Sequence, residues 1–195
     1  IGINSDKIFA DFNSKELRVG NEIFSLADLP LIGEHNFKNY VCSILAAKLE
    51  GISEKESIKS LQTFNGVRRR MELVTKSSEI KIYDDFAHHP TAISSSIQAV
   101  KSIYPGKKIA VIFEIRSNSM ITGTHKKTFI KSFLDINELY VYCAEEITWL
   151  GENSNIKVYK DIEQILQKLN DNIDNVDIVI VMSNGDTTKI LKQLE

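Results

Sequence analysis

"KIYDDFAHHPTAI", residues 81–93, changes period in its middle, and that change decides the fold. Its first half belongs to "EIKIYDD" (79–85), which reads as a strand. A tight loop follows, then a helix over residues 90–104 with Pro90 in its first turn. Proline is tolerated there because that N–H has no intrahelical partner in any case. Downstream, "KKIAVIFE" (107–114) is a nearly continuous apolar run, as in a strand buried on both faces. A helix is expected over about 124–134, then strands at "ELYVYC" and "NIKVYK". A helix at "DIEQILQKLN", a strand at "VDIVIVM" and a last helix from about Asp186 complete the series. Strand and helix alternating at this spacing mean an α/β fold, a mostly parallel sheet with crossover helices.

Upstream the pattern differs. "DKIFADF" and "ELRVGNEIFSL" alternate like short strands, and Gly20-Asn21 supplies a hairpin turn. In "LIGEHNFKNYVCSILAAKLEG", Tyr40, Val41, Ile44, Leu45 and Ala47 form a helical stripe closed by Gly51. Ser53 and Glu56 make a capping box ahead of a second helix. A further strand is expected at "RMELVTK" (70–76). The break near Phe64-Asn65-Gly66 divides a hairpin-bearing, helical piece, 1–64, from a regular α/β domain, 65–195.

A formal charge of −2 over 195 residues argues against a general nucleic-acid binder. No apolar run is long enough to span a membrane, and no signal peptide is visible. Cys42 and Cys143 both lie in apolar surroundings and are expected as buried free thiols, which suits a reducing cytoplasm. The chain lacks an initiator Met, as a fragment would, and as removal of that residue would equally leave it.

In an open α/β sheet, ligands bind at the carboxyl ends of the strands. Four polar clusters fall at that expected edge. They are Asp84, Asp85, His88 and His89; Glu114, Arg116, Ser117 and Asn118; Glu145 and Glu146; and Ser183, Asn184 and Gly185. The two imidazoles precede a helix N-terminus, which favours anions. Asp before a helix serves equally as a cap. Adjacent histidines are expected to point apart, which does not suit one metal ion, so no metal ligands are assigned. Arg68-Arg69-Arg70 reads either as a solvated charge run or as one Arg directed at a nucleotide. Asn36 and Asn39 share a face at the start of a helix, suiting an adenine edge or a pair of helix-start caps. No phosphate-cradling G-x-x-x-x-G-K-[ST] loop occurs; "GTHKKT" is too short and wrongly ordered.

"GEHNFKNY", "FNGVRRRME" and "YDDFAHHPTAI", in that order, resemble the closing third of the Mur ligases, ATP-dependent amide-forming enzymes of peptidoglycan synthesis. Within the family, "EIRSNSM" (114–120) and the terminal "MSNGD" are similar to the recycling branch, which joins UDP-N-acetylmuramate to a salvaged L-Ala-γ-D-Glu-meso-diaminopimelate tripeptide. The branch that adds L-alanine shares the "DD-x-x-HHPT" pattern. Ile115 stands where a Pro is usual, and "NGD" where a more Gly-rich run is usual. The resemblance implies that 1–64 is the tail of a central ATPase domain and 65–195 a Rossmann-like C-terminal domain. It implies adenine contacts at Asn36 and Asn39, a nucleotide contact at Arg70, and a ribose-binding carboxylate in the pair Asp84-Asp85. His88 and His89 are expected to face the γ-phosphate and acyl phosphate, and Arg116, Ser117 and Asn118 to receive the peptide. ATP is the implied cofactor, with the P-loop and the Mg ligands upstream of this chain, so the chain alone is expected to be inactive. The other readings open at this point are the L-alanine ligase and a non-enzymatic nucleotide-binding α/β module.

Overall fold

The computed structural model describes residues 8–75, 80–150 and 156–194. The chain divides into two compact units, Ile1–Gly66 and Val67–Glu195. No helix among the described residues is long and apolar enough to cross a membrane.

In the first unit, β1 (Ile8–Asp11), β2 (Glu16–Val19) and β3 (Glu22–Ser25) form an antiparallel meander. Leu17 and Phe24 are register partners on one side of it, so both reach the core. Helix α1 (Glu34–Leu49) completes that core with Phe37, Tyr40, Val41 and Ile44. Cys42 departs from expectation: it is exposed, whereas Cys143 is buried. The reason is helical geometry, since one residue past Val41 the side chain has turned about 100° off the apolar stripe. Helix α2 (Glu54–Leu61) starts at the expected capping box. The Ser53 Oγ accepts from the Glu56 N–H at 3.3 Å, and Glu56 Oε2 accepts from the Ser53 N–H at 3.1 Å.

The second unit is a six-stranded sheet in the order β4-β5-β9-β6-β7-β8. Its strands are β4 (Glu72–Leu73), β5 (Lys81–Asp85), β6 (Ile109–Glu114), β7 (Glu138–Tyr142), β8 (Val158–Tyr159) and β9 (Ile178–Met182). Only β4 runs antiparallel; every other pairing is parallel. Beside the sheet lie α3 (Pro90–Ile103), α4 (Asn118–Ile121), α5 (Lys126–Phe129), α6 (Ile162–Asp171) and α7 (Thr188–Leu194). Strands β6 and β9 are buried along almost their whole length because they are covered on both faces. On one face Ile112, Val179 and Val181 pack with Ile165 and Leu169 of α6 and Ile190 of α7. On the other, Phe113 meets Phe129 and Phe133 edge to face, with centroids 5.4 and 5.5 Å away.

Three local expectations are corrected. Of the strand expected at 70–76, the described residues form only Glu72–Leu73, which starts late because Met71 (φ 54) takes left-handed backbone that no strand accommodates; Lys76 lies outside the described residues. The helix at 124–134 splits into α5 and a 3-10 turn, Ile130–Phe133. The polar stretch after β6 holds a short helix, α4, with Met120 buried beneath it.

The topology has one consequence for function. The chain steps outward from β6 to β7 to β8, then returns to lay β9 between β5 and β6. The loops that follow β5, β9 and β6 are therefore neighbours at one edge.

Candidate functional site

The register brings those strand ends level. Asp85 is opposite Met182, and Met182 is opposite Phe113. The ladder continues past the strand ends, where the Ser183 N–H donates to Asp85 O at 3.1 Å and the Ile115 N–H donates to Tyr142 O at 2.8 Å. The loops carrying Asp84-Asp85, Glu114 and Ser183 are tied side by side. Glu145 and Glu146 are exposed, and among the described residues no bond joins them to that group.

Alternation along β5 sends the two aspartates to opposite faces. Both are almost fully buried. Asp84 Oδ2 accepts from the Thr187 hydroxyl at 3.0 Å and lies 3.3 Å from Arg69 Nε. Its Oδ1 is buried without a partner. Asp85 Oδ2 accepts from the Ser96 hydroxyl of α3. Burial pushes both carboxyls above their ordinary values. Thr187 and Arg69 oppose this at Asp84, and Ser96 and the Met71 N–H oppose it at Asp85.

The arginine run sits in a turn, so each residue has a different fate. Arg69 is the inward one. Its Nη2 donates to Ser183 O at 2.7 Å, which straps the turn to the end of β9. Arg68 and Arg70 are exposed, and the Arg70 guanidinium stands 5.4 Å from the Phe86 ring centroid.

The histidines contradict the expectation that they diverge. The rings of His88 and His89 stand side by side, with centroids 4.3 Å apart. The cause is a local bond: His88 Nδ1 lies 2.9 Å from Phe86 O and must donate to it, since a carbonyl only accepts. This folds the His88 ring back over its own loop and leaves Nε2 free. Among the described residues no group of three or more His, Cys, Asp or Glu could hold a metal ion. His89 is the N-cap of α3, yet its side chain makes no cap bond. With Pro90 next, the N–H groups of Thr91 and Ala92 are left for another acceptor.

At the far side of the edge, Ser183 Oγ donates to Glu114 Oε2 and accepts from the Gly185 N–H at 2.7 Å. A Cβ on Gly185 would collide with Arg116 Nη1 and come within 2.9 Å of Glu114 Oε2. The missing Cβ leaves this space to the guanidinium and the carboxylate. Asn184 Oδ1 is buried without a partner close by in the chain. Arg116 and Asn118 are exposed; Ser117 is half-buried, its hydroxyl 3.4 Å from that of Ser119.

Within the first unit, Asn36 is buried and its Nδ2 donates to Ile32 O at 2.8 Å. Asn39 is exposed and donates to Asn36 Oδ1 at 3.4 Å. Sequence reasoning did not single out Arg69, Ser96 or Thr187, whose partners are set by tertiary contact. A cleft of about 610 Å³ opens at the opposite, amino end of the sheet. Its walls include Ile80, Ile82, Leu166 and Leu169, and it holds none of the residues above.

The family model described as "Mur ligase, glutamate ligase domain" matches residues 69–185. The chain is 30% identical over 186 residues to the UDP-N-acetylmuramate–L-alanyl-gamma-D-glutamyl-meso-2,6-diaminoheptandioate ligase of Escherichia coli, covering 92% of this chain and 41% of that protein. It is 32% identical over 164 residues to the UDP-N-acetylmuramate–L-alanine ligase of Flavobacterium johnsoniae, covering 78% and 36%. The crystal structure of a murein peptide ligase from Psychrobacter arcticus superposes with a TM-score of 0.63 at 25% identity, covering 92% of this chain and 41% of that one. The chain thus spans about two-fifths of the length of these relatives.

Proposed function

We propose, from the premise that this chain belongs to the Mur ligase family, that it is the C-terminal part of an ATP-dependent ligase joining UDP-N-acetylmuramate to L-Ala-γ-D-Glu-meso-diaminopimelate. The observation that carries the reading is the shared edge: Asp84 and Asp85 are hydrogen-bonded to Thr187 and Ser183 of the loop after β9, Ser183 bonds Glu114 in turn, and His88 and His89 follow directly on the aspartates. Nucleotide-facing and acceptor-facing groups then belong to one site. The "EIRSNSM" stretch favours the tripeptide acceptor.

The reaction has two steps. The lactyl carboxylate of the sugar nucleotide takes the γ-phosphoryl group of ATP and becomes an acyl phosphate. The tripeptide amine then attacks the acyl carbon and phosphate leaves. The residues of this chain contribute position and charge. The arrangement suits a phosphate: two imidazoles and the uncapped N–H groups of α3 face it, and neither histidine is ion-paired to a carboxylate. His88, holding its proton on Nδ1, and His89 contact the phosphoryl oxygens in this reading. The pair Asp84-Asp85 supplies the ribose-binding carboxylate, and Arg70 reaches the nucleotide. Asn36 and Asn39, on the first unit, take the adenine. Arg116 pairs with a peptide carboxylate, with Ser117 and Asn118 beside it. Magnesium, when bound to ligands upstream of this chain, neutralises phosphate charge.

A second reading is addition of L-alanine, favoured by the similarity to ligases of that name. Phosphate release from ATP by the full-length protein, with UDP-N-acetylmuramate and either acceptor, separates the two. The tripeptide is expected to support turnover at concentrations where L-alanine does not. Turnover with L-alanine alone would move the chain to the other branch.

A further inference from the structure

His125 stands outside every assignment above, yet its ring lies against the histidine pair. Its centroid is 5.3 Å from that of His89, edge to face at 78°. The three imidazoles come from two separate connections, one after β5 and one after β6.

The backbone that carries His125 is held on both sides. Gly123 (φ 72) packs under Trp149, where an added Cβ would meet the indole at 2.8 Å. The indole Nε1 donates to Ile121 O at 3.0 Å, which locks that stacking. On the other side, the Phe129 N–H donates to His125 O at 2.9 Å, and Phe129 is fully buried against Phe113 and Phe133.

The surroundings show what the rings lack. Among the described residues none of the three forms an ion pair with a carboxylate, and no metal-binding group includes them. His89 is pushed below its ordinary value by burial and by the His88 and His125 rings, with no acidic group acting on it. Three imidazoles gathered without an anion repel one another as soon as two are protonated. An oxyanion placed among them turns that repulsion into charge-assisted hydrogen bonding.

We infer that His125 is a third anion-facing imidazole, positioned with His88 and His89 to hold a phosphate group at the carboxyl edge of the sheet. The inference rests on the reading of His88 and His89 as the phosphate-facing pair, and adds the residue that completes it. The alternative is a purely packing ring, and two substitutions separate them. His125→Phe keeps the edge-to-face contact with His89 and removes the N–H donors. His125→Gln keeps a donor and removes the ring.

The test is a titration of the 195-residue chain with inorganic phosphate, followed through the histidine ring resonances. All three rings are expected to shift along one binding curve. His125→Phe should weaken phosphate binding by about tenfold, the loss of one hydrogen bond to a charged group, and His125→Gln should weaken it less. Shifts at His88 and His89 with His125 unmoved would overturn the inference and leave the parent reading standing. A Phe variant that binds as well as the unsubstituted chain does the same, as does loss of the native spectrum in both variants, which would mark a structural ring. No shift at any of the three would end both readings.

Discussion

Asp84 and Asp85 share a strand end but face different neighbours, and their chemistry follows those neighbours. Asp84 leans on Arg69, whose other bond reaches Ser183. Arg69→Ala leaves a buried carboxylate without its cation, which costs about 3 kcal/mol. Urea unfolding should show that loss, and Asp84→Asn in the same background should restore part of it. Asp85 sits against Ser96, and burial raises its carboxyl. The folded chain therefore holds this proton more tightly than the unfolded one. The resulting stability is complete below the ordinary carboxylate value and is lost as pH rises through the raised one. Asp85→Asn should flatten the fall of Tm as pH rises above about 4. Arg116, free to swing beside Gly185, should on substitution with Ala raise the KM for tripeptide more than that for ATP; the reverse ranking would move it to the nucleotide end. The residue types of this edge were legible because charged and imidazole side chains cluster after apolar runs. Their partners were not. Arg69 instead of Arg70 turns inward because of one left-handed backbone position, and nothing in "RRR" distinguishes the three.

At the scale of elements, burial decided what could be read. The strands β6 and β9 announced themselves as unbroken apolar runs because helices cover both their faces. The capping box before α2 and Pro90 at the start of α3 were equally plain, since both depend on local chemistry alone. In the β6–β7 connection, the single helix expected over about 124–134 is instead α5 followed by a 3-10 turn. These turns are short, and their positions depend on Trp149, which lies far along the chain. Gly123 holds that connection together. Gly123→Ala would force a Cβ onto the indole from a left-handed conformation, at a cost of about 1–3 kcal/mol. Thermal unfolding should report the loss, with a shift in tryptophan fluorescence if the indole has been displaced. Unchanged Tm and emission would show that the stacking is dispensable.

For the whole molecule, the core around Leu17, Phe24 and Ile44 is drawn from within the first unit, and that around Ile112, Val179 and Ile165 from within the second. Residues 67–195 expressed alone are accordingly expected to fold, unfolding in urea in one cooperative transition with protected amides in β6 and β9. A non-cooperative melt would show that the first unit is required. The parallel sheet could be foreseen from alternating strands and helices, but not the strand order. The return of β9 between β5 and β6 is settled by which apolar run best fills the centre, a contest no local pattern records. Both margins of this sheet end in strands of two residues, Glu72–Leu73 and Val158–Tyr159. Among the described residues each margin therefore offers a second copy only a short stretch of ladder to zip onto.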